Sequence, residues 1–339
     1  MSSPKYSIII PVYNRPGELG ELLESLTKQT TKNFEVIVID DGSNEPSQAV
    51  CNEFSDRLTI KYFFKLNSGP GPTRNFGFEK ASGDYFVMFD SDCIIPHTYF
   101  EAVENFMRNH PVDAWGGPDR GHENFTVLQQ AMAYTMQSFW TTGGIRGGKN
   151  QADNFQPRSF NMGFSRNVWQ KTKGFAFDRL AEDIELSIRM REAGFNVALI
   201  PDAFVYHKRR TDLLQFFRQV EGFGRGRVRV GKIHPATVKM THWFPSVFLI
   251  YFILVIALFL IRSEWRVLAS LPLYFYLVII FLSSLIENVW VIRQQVDDSR
   301  EIPTFKMLRL SIVSLLAVPS AIVQLTGYGL GFLKEKIGI

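Results

Sequence analysis

Residues Trp243 to Ile261 run for nineteen positions without a charged side chain, enough, as a helix, to cross the hydrocarbon core of a bilayer. A chain with such a run divides its folding between lipid and water, so a water-facing module must be joined to membrane helices. Two more apolar stretches follow: Val267 to Ile286, continuing to Ile292 with Glu287 near its end, and Leu310 to Leu333, interrupted by Pro319 and Gln324. The third reads either as a span or as an interfacial or re-entrant helix. Arg293, Arg300, Lys306 and Arg309 lie before it, and Arg262 and Arg266 between the first two. Positive charge favours the cytoplasmic side. The expectation is therefore a multi-pass protein of the inner (plasma) membrane, with spans at about 243–261, 267–292 and 310–333 and its water-facing module in the cytoplasm. Three spans would put the C-terminal tail outside.

Just before the first span, Lys208 to Lys239 holds nine Lys and Arg residues against only Asp212 and Glu221. Leu213, Leu214, Phe216, Phe217 and Val220 give its first half an apolar face, so 208–242 reads as a basic amphipathic segment lying on anionic membrane lipid. No nucleic-acid recognition motif accompanies the charge, and nucleic acid is not an expected partner. The start, Met-Ser-Ser-Pro-Lys, is polar and reads as no secretory signal. Cys51 and Cys93 have neither disulfide nor metal-ligand spacing and fit a reducing cytosolic location.

In the first 95 of the 339 residues, strands and helices alternate. Tyr6 to Ile10 is a β-branched run closed by Pro11. Leu19, Leu22, Leu23 and Leu26 give Pro16 to Gln29 helical spacing. Further strands are expected at Phe34 to Ile39, Leu58 to Phe64 and Tyr85 to Phe89, with a helix from about Arg74 to Lys80. This is the pattern of an α/β fold with a mostly parallel sheet and helices on both faces. Four strand ends carry polar or glycine-rich residues: Pro11 to Asn14, Asp40 to Ser43, Asn67 to Asn75, and Asp90 to Asp92. Open α/β sheets bind ligands at that edge. Carboxylates there suit Mg²⁺ or Mn²⁺ bridging to substrate phosphates. Asp90-Ser-Asp92 alone is equally an N-terminal cap for a helix starting near Pro96.

As a set, Ser7-Ile-Ile-Ile-Pro-Val-Tyr-Asn14, Val38-Ile-Asp-Asp-Gly-Ser43, Gly71-Pro-Thr-Arg-Asn75 and Asp90-Ser-Asp92 resemble the family 2 inverting glycosyltransferases of the GT-A fold, over roughly residues 5 to 210. The resemblance implies a catalytic domain at 1–207, ahead of the interfacial segment and a membrane domain at 243–339. It implies that Asp40 and Asp41 accept hydrogen bonds from the imide of a uracil-type base, and that Pro11, Tyr13 and Asn14 line base and ribose. The Gly69 turn would let the backbone approach the donor. Arg74 would offer its planar fork to base or diphosphate, and Asp90 would face ribose or metal. Asp92, with His207 after the last strand, would hold the ion that neutralises the leaving diphosphate.

Beyond Pro96 the pattern is less regular. Val112 to Trp115 reads as a strand and Val127 to Trp140 as a helix. Gly143-Gly144-Ile-Arg-Gly147-Gly148 is either a lid or an ordinary exposed loop. Phe160 to Ser165 has the small and polar residues that let a sugar approach the sheet. Glu182-Asp183 opens an amphipathic helix, whose dipole stabilises carboxylates there for structural reasons alone. In the resembled family this is where the base is kept, which implies Asp183 as general base with Glu182 orienting it or the acceptor. The expected reaction is inverting transfer of a sugar, with UDP the expected carrier, onto a hydroxyl of a glycan or lipid-linked acceptor. Two alternatives stay open. A polyprenyl-phosphate sugar synthase usually has Leu-Gln after Asp-x-Asp, where Cys93-Ile94 stands here. The other is a catalytically silent nucleotide-sugar-binding scaffold. Processive synthases carry Gln-x-x-Arg-Trp, and Gln215-Phe-Phe-Arg218-Gln219 lacks the tryptophan.

Overall fold

A computed structural model describes residues 5–120, 125–143, 155–207, 210–295 and 304–339, with side chains left out over 291–306. The chain forms two compact units, 1–122 with 150–208, and 123–149 with 209–339. Of the stretch 123–149, the described residues 125–143 fall in the second of these units.

In the first unit the order is β1 (Tyr6–Val12), α1 (Pro16–Thr27), β2 (Phe34–Asp40), α2 (Gln48–Glu53), β3 (Ile60–Phe64), α3 (Pro70–Lys80), β4 (Tyr85–Phe89), β5 (Cys93–Ile94), α4 (Tyr99–Asn109), β6 (Ala114–Gly116) and β7 (Asp119–Arg120). In the second unit, α5 (Val127–Gln137) and α6 (Phe139–Thr142) follow. The first unit then resumes with β8 (Asn161–Ser165), α7 (Arg166–Thr172), α8 (Glu182–Glu192), β9 (Val197–Leu199) and β10 (Val205–His207). The second unit ends with α9 (Leu213–Ile233), α10 (Phe244–Leu260), α11 (Arg266–Gln295) and α12 (Thr304–Ile337).

The main sheet has strand order β3-β2-β1-β4-β8-β6-β9. β1, β2, β3 and β4 pair in parallel, while β8 is antiparallel to both β4 and β6. A strand that is covered on both faces can be apolar throughout, and β2 is buried at every position. Ile8, Ile10, Val36 and Val38 pack with Leu19, Leu22, Leu23 and Leu26 of α1 on one face. Ile9, Ile37 and Ile39 pack with Phe78 of α3 on the other. The parallel pairing of β1 with β2 and with β4 brings the carboxyl ends of all three to one edge. A second sheet, β5-β10-β7, is made of strands only two or three residues long.

Several boundaries differ from the expected ones. The helix expected near Pro96 starts at Tyr99, because β5 takes up the residues after Asp92. The strands expected from Leu58 and Val112 begin at Ile60 and Ala114. The helix over 127–140 breaks at Ser138, whose extended backbone (φ −59°, ψ 136°) ends α5 and whose hydroxyl caps α6. Of the glycine-rich 143–148 stretch only Gly143 is described, in a left-handed conformation closing α6; the rest, and Lys208 and Arg209, lie outside the described residues.

In the second unit, three helices are long and apolar enough to cross a membrane: Met240–Leu260, Arg266–Trp290 and Met307–Ile337. The last is the most enclosed by protein, 44% of its apolar window against 22% and 11% for the other two. Ala131 and Tyr134 of α5 pack against Ile280 of α11 and Val313, Ala317 and Ala321 of α12. That face explains why 123–149 belongs with these helices. The side chains of Arg293, Arg300 and Lys306 lie outside the described set, and Arg309 donates to the carbonyl of Phe125.

Candidate active site

The end of β1 carries Pro11, Tyr13, Asn14 and Arg15. Tyr13 is 47% exposed. Asn14 has a left-handed backbone (φ 53°), which Asn tolerates better than most residues, and is tied to the β2 end: its N–H donates to Ser43 Oγ, and its Oδ1 accepts from Asn44 N–H.

The two aspartates closing β2 point into protein. Asp40 is fully buried and accepts from Ser43 N–H, Ser47 N–H and the Tyr62 hydroxyl, each at 2.9 Å. Its carboxylate holds the turn together. Asp41 accepts from Lys65 Nζ at 2.5 Å and from the N–H groups of Ser68 and Gly69 at 2.9 Å. Burial opposes its ionisation, but these donors outweigh burial and hold its carboxyl below the usual range. Gly69 has φ +93°, a conformation glycine takes without penalty, and a Cβ there would lie 3.1 Å from the Asp178 carbonyl oxygen. Asp41 and Gly69 thus shape the donor turn that opens α3.

Arg74, one turn into α3, is 2% exposed. Its Nη2 donates to Asp90 Oδ1 at 2.6 Å and its Nη1 to Glu182 Oε1 at 3.2 Å. Two of its guanidinium nitrogens are thus committed to protein carboxylates, while Nε is buried without a hydrogen-bond partner. Arg74 ties the end of β4 to the start of α8.

Helix α8 is launched from Leu180 and Ala181, two consecutive non-glycine residues with left-handed backbone (φ 61° and 65°). Such residues are strained and persist where the surroundings dictate them; here they set the direction in which Glu182 and Asp183 leave the turn. Asp183 accepts from the Ile184 N–H through Oδ1, and its Oδ2 lies 3.7 Å from Nη1 of Arg158. Burial and the neighbouring Asp183 push the Glu182 carboxyl up, to about 7, despite Arg74. A carboxyl raised above its unfolded value stabilises the fold fully below about pH 4.5, and that stabilisation is lost as pH rises through about 7. Thermal unfolding of Glu182→Gln should therefore be less pH-dependent than wild type over this window, with wild type losing more stability on the alkaline side. Parallel pH profiles would remove the raised carboxyl.

At the end of β4, Asp92 is buried beside Arg15, whose Nη1 donates to Oδ2 at 2.5 Å. Its Oδ1 lies 3.1 Å from Nε2 of His207. The antiparallel register His207↔Cys93 between β10 and β5 brings them together, and the imidazole stacks on Phe160 with centroids 4.7 Å apart. Burial raises the Asp92 carboxyl, but His207 and Arg15 outweigh it and hold the group well below the usual range. Asp92, Cys93 and His207 each offer a ligand atom, all within 4.8 Å of one another. An imidazole nitrogen and a carboxylate oxygen facing each other at 3.1 Å suit a divalent cation between them, and the other ring nitrogen, His207 Nδ1, is buried with no hydrogen-bond partner.

The Arg15–Asp92–His207 cluster and the Arg74–Glu182–Asp183 cluster meet electrostatically at Asp90, whose charge acts on Arg15, His207, Arg74 and Glu182 alike. Arg15, Lys65 and Arg158 were not singled out in the sequence, and Cys93, which has no metal-ligand spacing along the chain, comes beside Asp92 and His207 only in the fold. Only Arg15 had a usable signal, its place directly after Tyr13-Asn14 at the same strand end.

Residues 7–169 match the family described as Glycosyl transferase family 2. An uncharacterized glycosyltransferase of Haemophilus influenzae is 42% identical over 119 residues, 34% of this chain and 48% of that protein. The minor teichoic acid biosynthesis protein GgaB of Bacillus subtilis is 34% identical over 109 residues, 31% of this chain and 12% of that protein. This chain spans less than half the length of the curated relatives it matches. Among solved structures, mannosyltransferase PcManGT from Pyrobaculum calidifontis, in complex with GDP-Man and Mn²⁺, is similar with a TM-score of 0.57 and 15% identity, over 99% of this chain and 88% of that one. At that identity the likeness shows the fold. The chain thus carries a family 2 glycosyltransferase domain of GT-A fold. Three long apolar helices follow it.

Proposed function

We propose that this protein transfers a sugar, with inversion, from a nucleoside diphosphate donor to a hydroxyl of a glycan or lipid-linked acceptor at the cytoplasmic face of the inner membrane. The observation that carries this is the set of functional groups joined through Asp90 and Arg74, with Asp92 Oδ1 facing His207 Nε2 at one end and Asp183, next to Glu182, at the other. Asp183 takes the proton of the acceptor hydroxyl as its oxygen bonds to the anomeric carbon, and the bond from that carbon to the diphosphate breaks on the opposite face. Glu182, through Arg74, positions Asp90 against the donor. Arg15 supplies positive charge beside Asp92 where the diphosphate would sit. Asp92 and His207 would hold Mg²⁺ or Mn²⁺, which when bound stabilises the leaving diphosphate as a Lewis acid; PcManGT was solved with Mn²⁺. An acceptor tethered to the same bilayer would gain effective concentration.

Asp40 and Asp41 are already satisfied by protein donors, so the base is to be read from a donor panel that starts with UDP sugars and includes GDP-Man. The purified full chain should release nucleoside diphosphate with one donor and added metal; no release with any donor, alongside saturable donor binding, would favour a silent scaffold. Transfer to a polyprenyl phosphate that survives Asp183→Asn would favour a polyprenyl-phosphate sugar synthase. Mn²⁺ binding, followed by electron paramagnetic resonance without donor, should weaken at least about tenfold in Asp92→Asn, since even the outer partners of metal ligands are worth that much. It should strengthen in Arg15→Gln, which removes a competing cation. Unchanged binding in both would displace the cation from Asp92.

A further inference from the structure

Within the second unit, α12 follows α9 in the same direction over four turns. A Cβ on Gly327 would lie 2.6 Å from Val220 Cγ2, one on Gly224 2.1 Å from the Tyr328 carbonyl oxygen, and one on Gly331 2.0 Å from that of Glu221. The glycines let the two backbones touch. At the far end, Lys334 Nζ pairs with Glu221 at 2.8 Å, and Glu335 takes Arg225 at 3.1 Å, Arg229 at 3.3 Å and Lys232 at 3.6 Å.

The α10–α11 hairpin gives the level of these contacts. Tyr251 donates to the Ala269 carbonyl, and Tyr276 stacks near Phe244 and Phe248 with centroids 6.3 and 5.8 Å away. Ile280 therefore lies at the start of α10, far from the hairpin turn at Arg262–Arg266. α12 meets α11 at that Ile280, through Val313 and Ala317. It meets α10 at its first turn, where Ser246 donates to the Gly329 carbonyl at 3.3 Å and Trp243 packs on Phe332 at 4.9 Å. About 20 Å of α12 axis separate these two contacts, yet both fall at the α9 end of the hairpin. A helix crossing beside the hairpin would bring one half of itself to the turn.

We propose that α12 is seated in the membrane surface alongside α9, and that the C-terminal ends of the two helices form one face for the anionic headgroups of a single leaflet. Arg225, Arg229, Lys232, Lys334 and Lys336 supply the charge, in excess over Glu221 and Glu335. Ile233, Ile337 and Ile339 are 56, 68 and 75% exposed at the same ends. Basic charge ringed by exposed aliphatic side chains suits an anionic interface. The membrane then holds two spans, and the C-terminus stays on the side of α9. This seating is independent of the transferase chemistry.

Single cysteines at Lys232, Glu264 and Ile339 of the full chain, in sealed vesicles probed from each side with a membrane-impermeant maleimide, test it. Wild type, whose Cys51 and Cys93 are buried, sets the background. Ile339→Cys should label from the side of Lys232→Cys, and Glu264→Cys from the other; labelling of Ile339→Cys with Glu264→Cys would overturn the seating. In nanodiscs, phosphatidylglycerol should raise the apparent Tm over phosphatidylcholine by several degrees, as a ligand of the folded state does. Lys232→Gln/Lys336→Gln should reduce that rise. Equal Tm in the two lipids would overturn the headgroup face.

Discussion

Replacing Asp183 by Asn should lower acceptor-dependent turnover by about 10²–10⁴-fold, the usual worth of a general base, while nucleoside diphosphate binding stays at the wild-type level. Asn keeps the shape and can still accept the Ile184 N–H at the start of α8, so the loss isolates proton removal from folding. Arg158 is the only cation described within ion-pair distance of this carboxylate, and at 3.7 Å it leaves Oδ2 open to a hydroxyl. Glu182 offers a contrast. Its side chain is held by Arg74, so Glu182→Gln should cost less turnover than Asp183→Asn. Steady-state kinetics against acceptor, with donor affinity measured separately, decide it. Turnover in Asp183→Asn equal to wild type would take the base role from this residue.

Replacing Arg74 by Met should destabilise the protein by about 3 kcal/mol, the lower end for removing one partner of a buried pair, because Glu182 is buried but Asp90 keeps some contact with solvent. For a unit of this size that corresponds to a fall in Tm on the order of 10 °C. Arg74 sits at 2% exposure between Asp90 and Glu182, so solvent does little to screen the loss at Glu182. Arg74→Lys should recover only part of it, because an ammonium cannot reach both carboxylates in the geometry of a planar fork. Adding Glu182→Gln to Arg74→Met should restore stability mainly on the alkaline side of about pH 7, where the Glu182 carboxyl would otherwise ionise without a partner. Thermal unfolding of wild type and the three variants checks the order. A near-wild-type Tm for Arg74→Met would mean that Asp90 and Glu182 find water or other donors.

The strand ends of β1, β2 and β4 were legible because each is a continuous apolar run ending in turn residues, and Leu19, Leu22, Leu23 and Leu26 mark α1 by spacing alone. What each polar residue does there was less legible. Asp40 and Asp41 adjoin in the chain, and nothing local says that Tyr62 and Lys65, from the next strand and the turn after it, will take up their oxygens. The burial of Arg74 depends on Glu182, 108 positions away. The small sheet was invisible, since strands of two or three residues carry no period. α5 was legible as a helix, but not what it packs on, because the partners of Ala131 and Tyr134 come from α11 and α12, well over a hundred residues later.

The pairing of β10 with β5 has a bearing on what a truncated chain can hold. Cys93 leaves the main sheet early in the chain, and the histidine opposite it arrives more than a hundred residues later. In between lie α4, β6, β8 and α8. A fragment ending ahead of residue 205 would retain both carboxylates of Asp90-Ser-Asp92 and lack the imidazole, so under the proposed function it should bind manganese more weakly than the full chain.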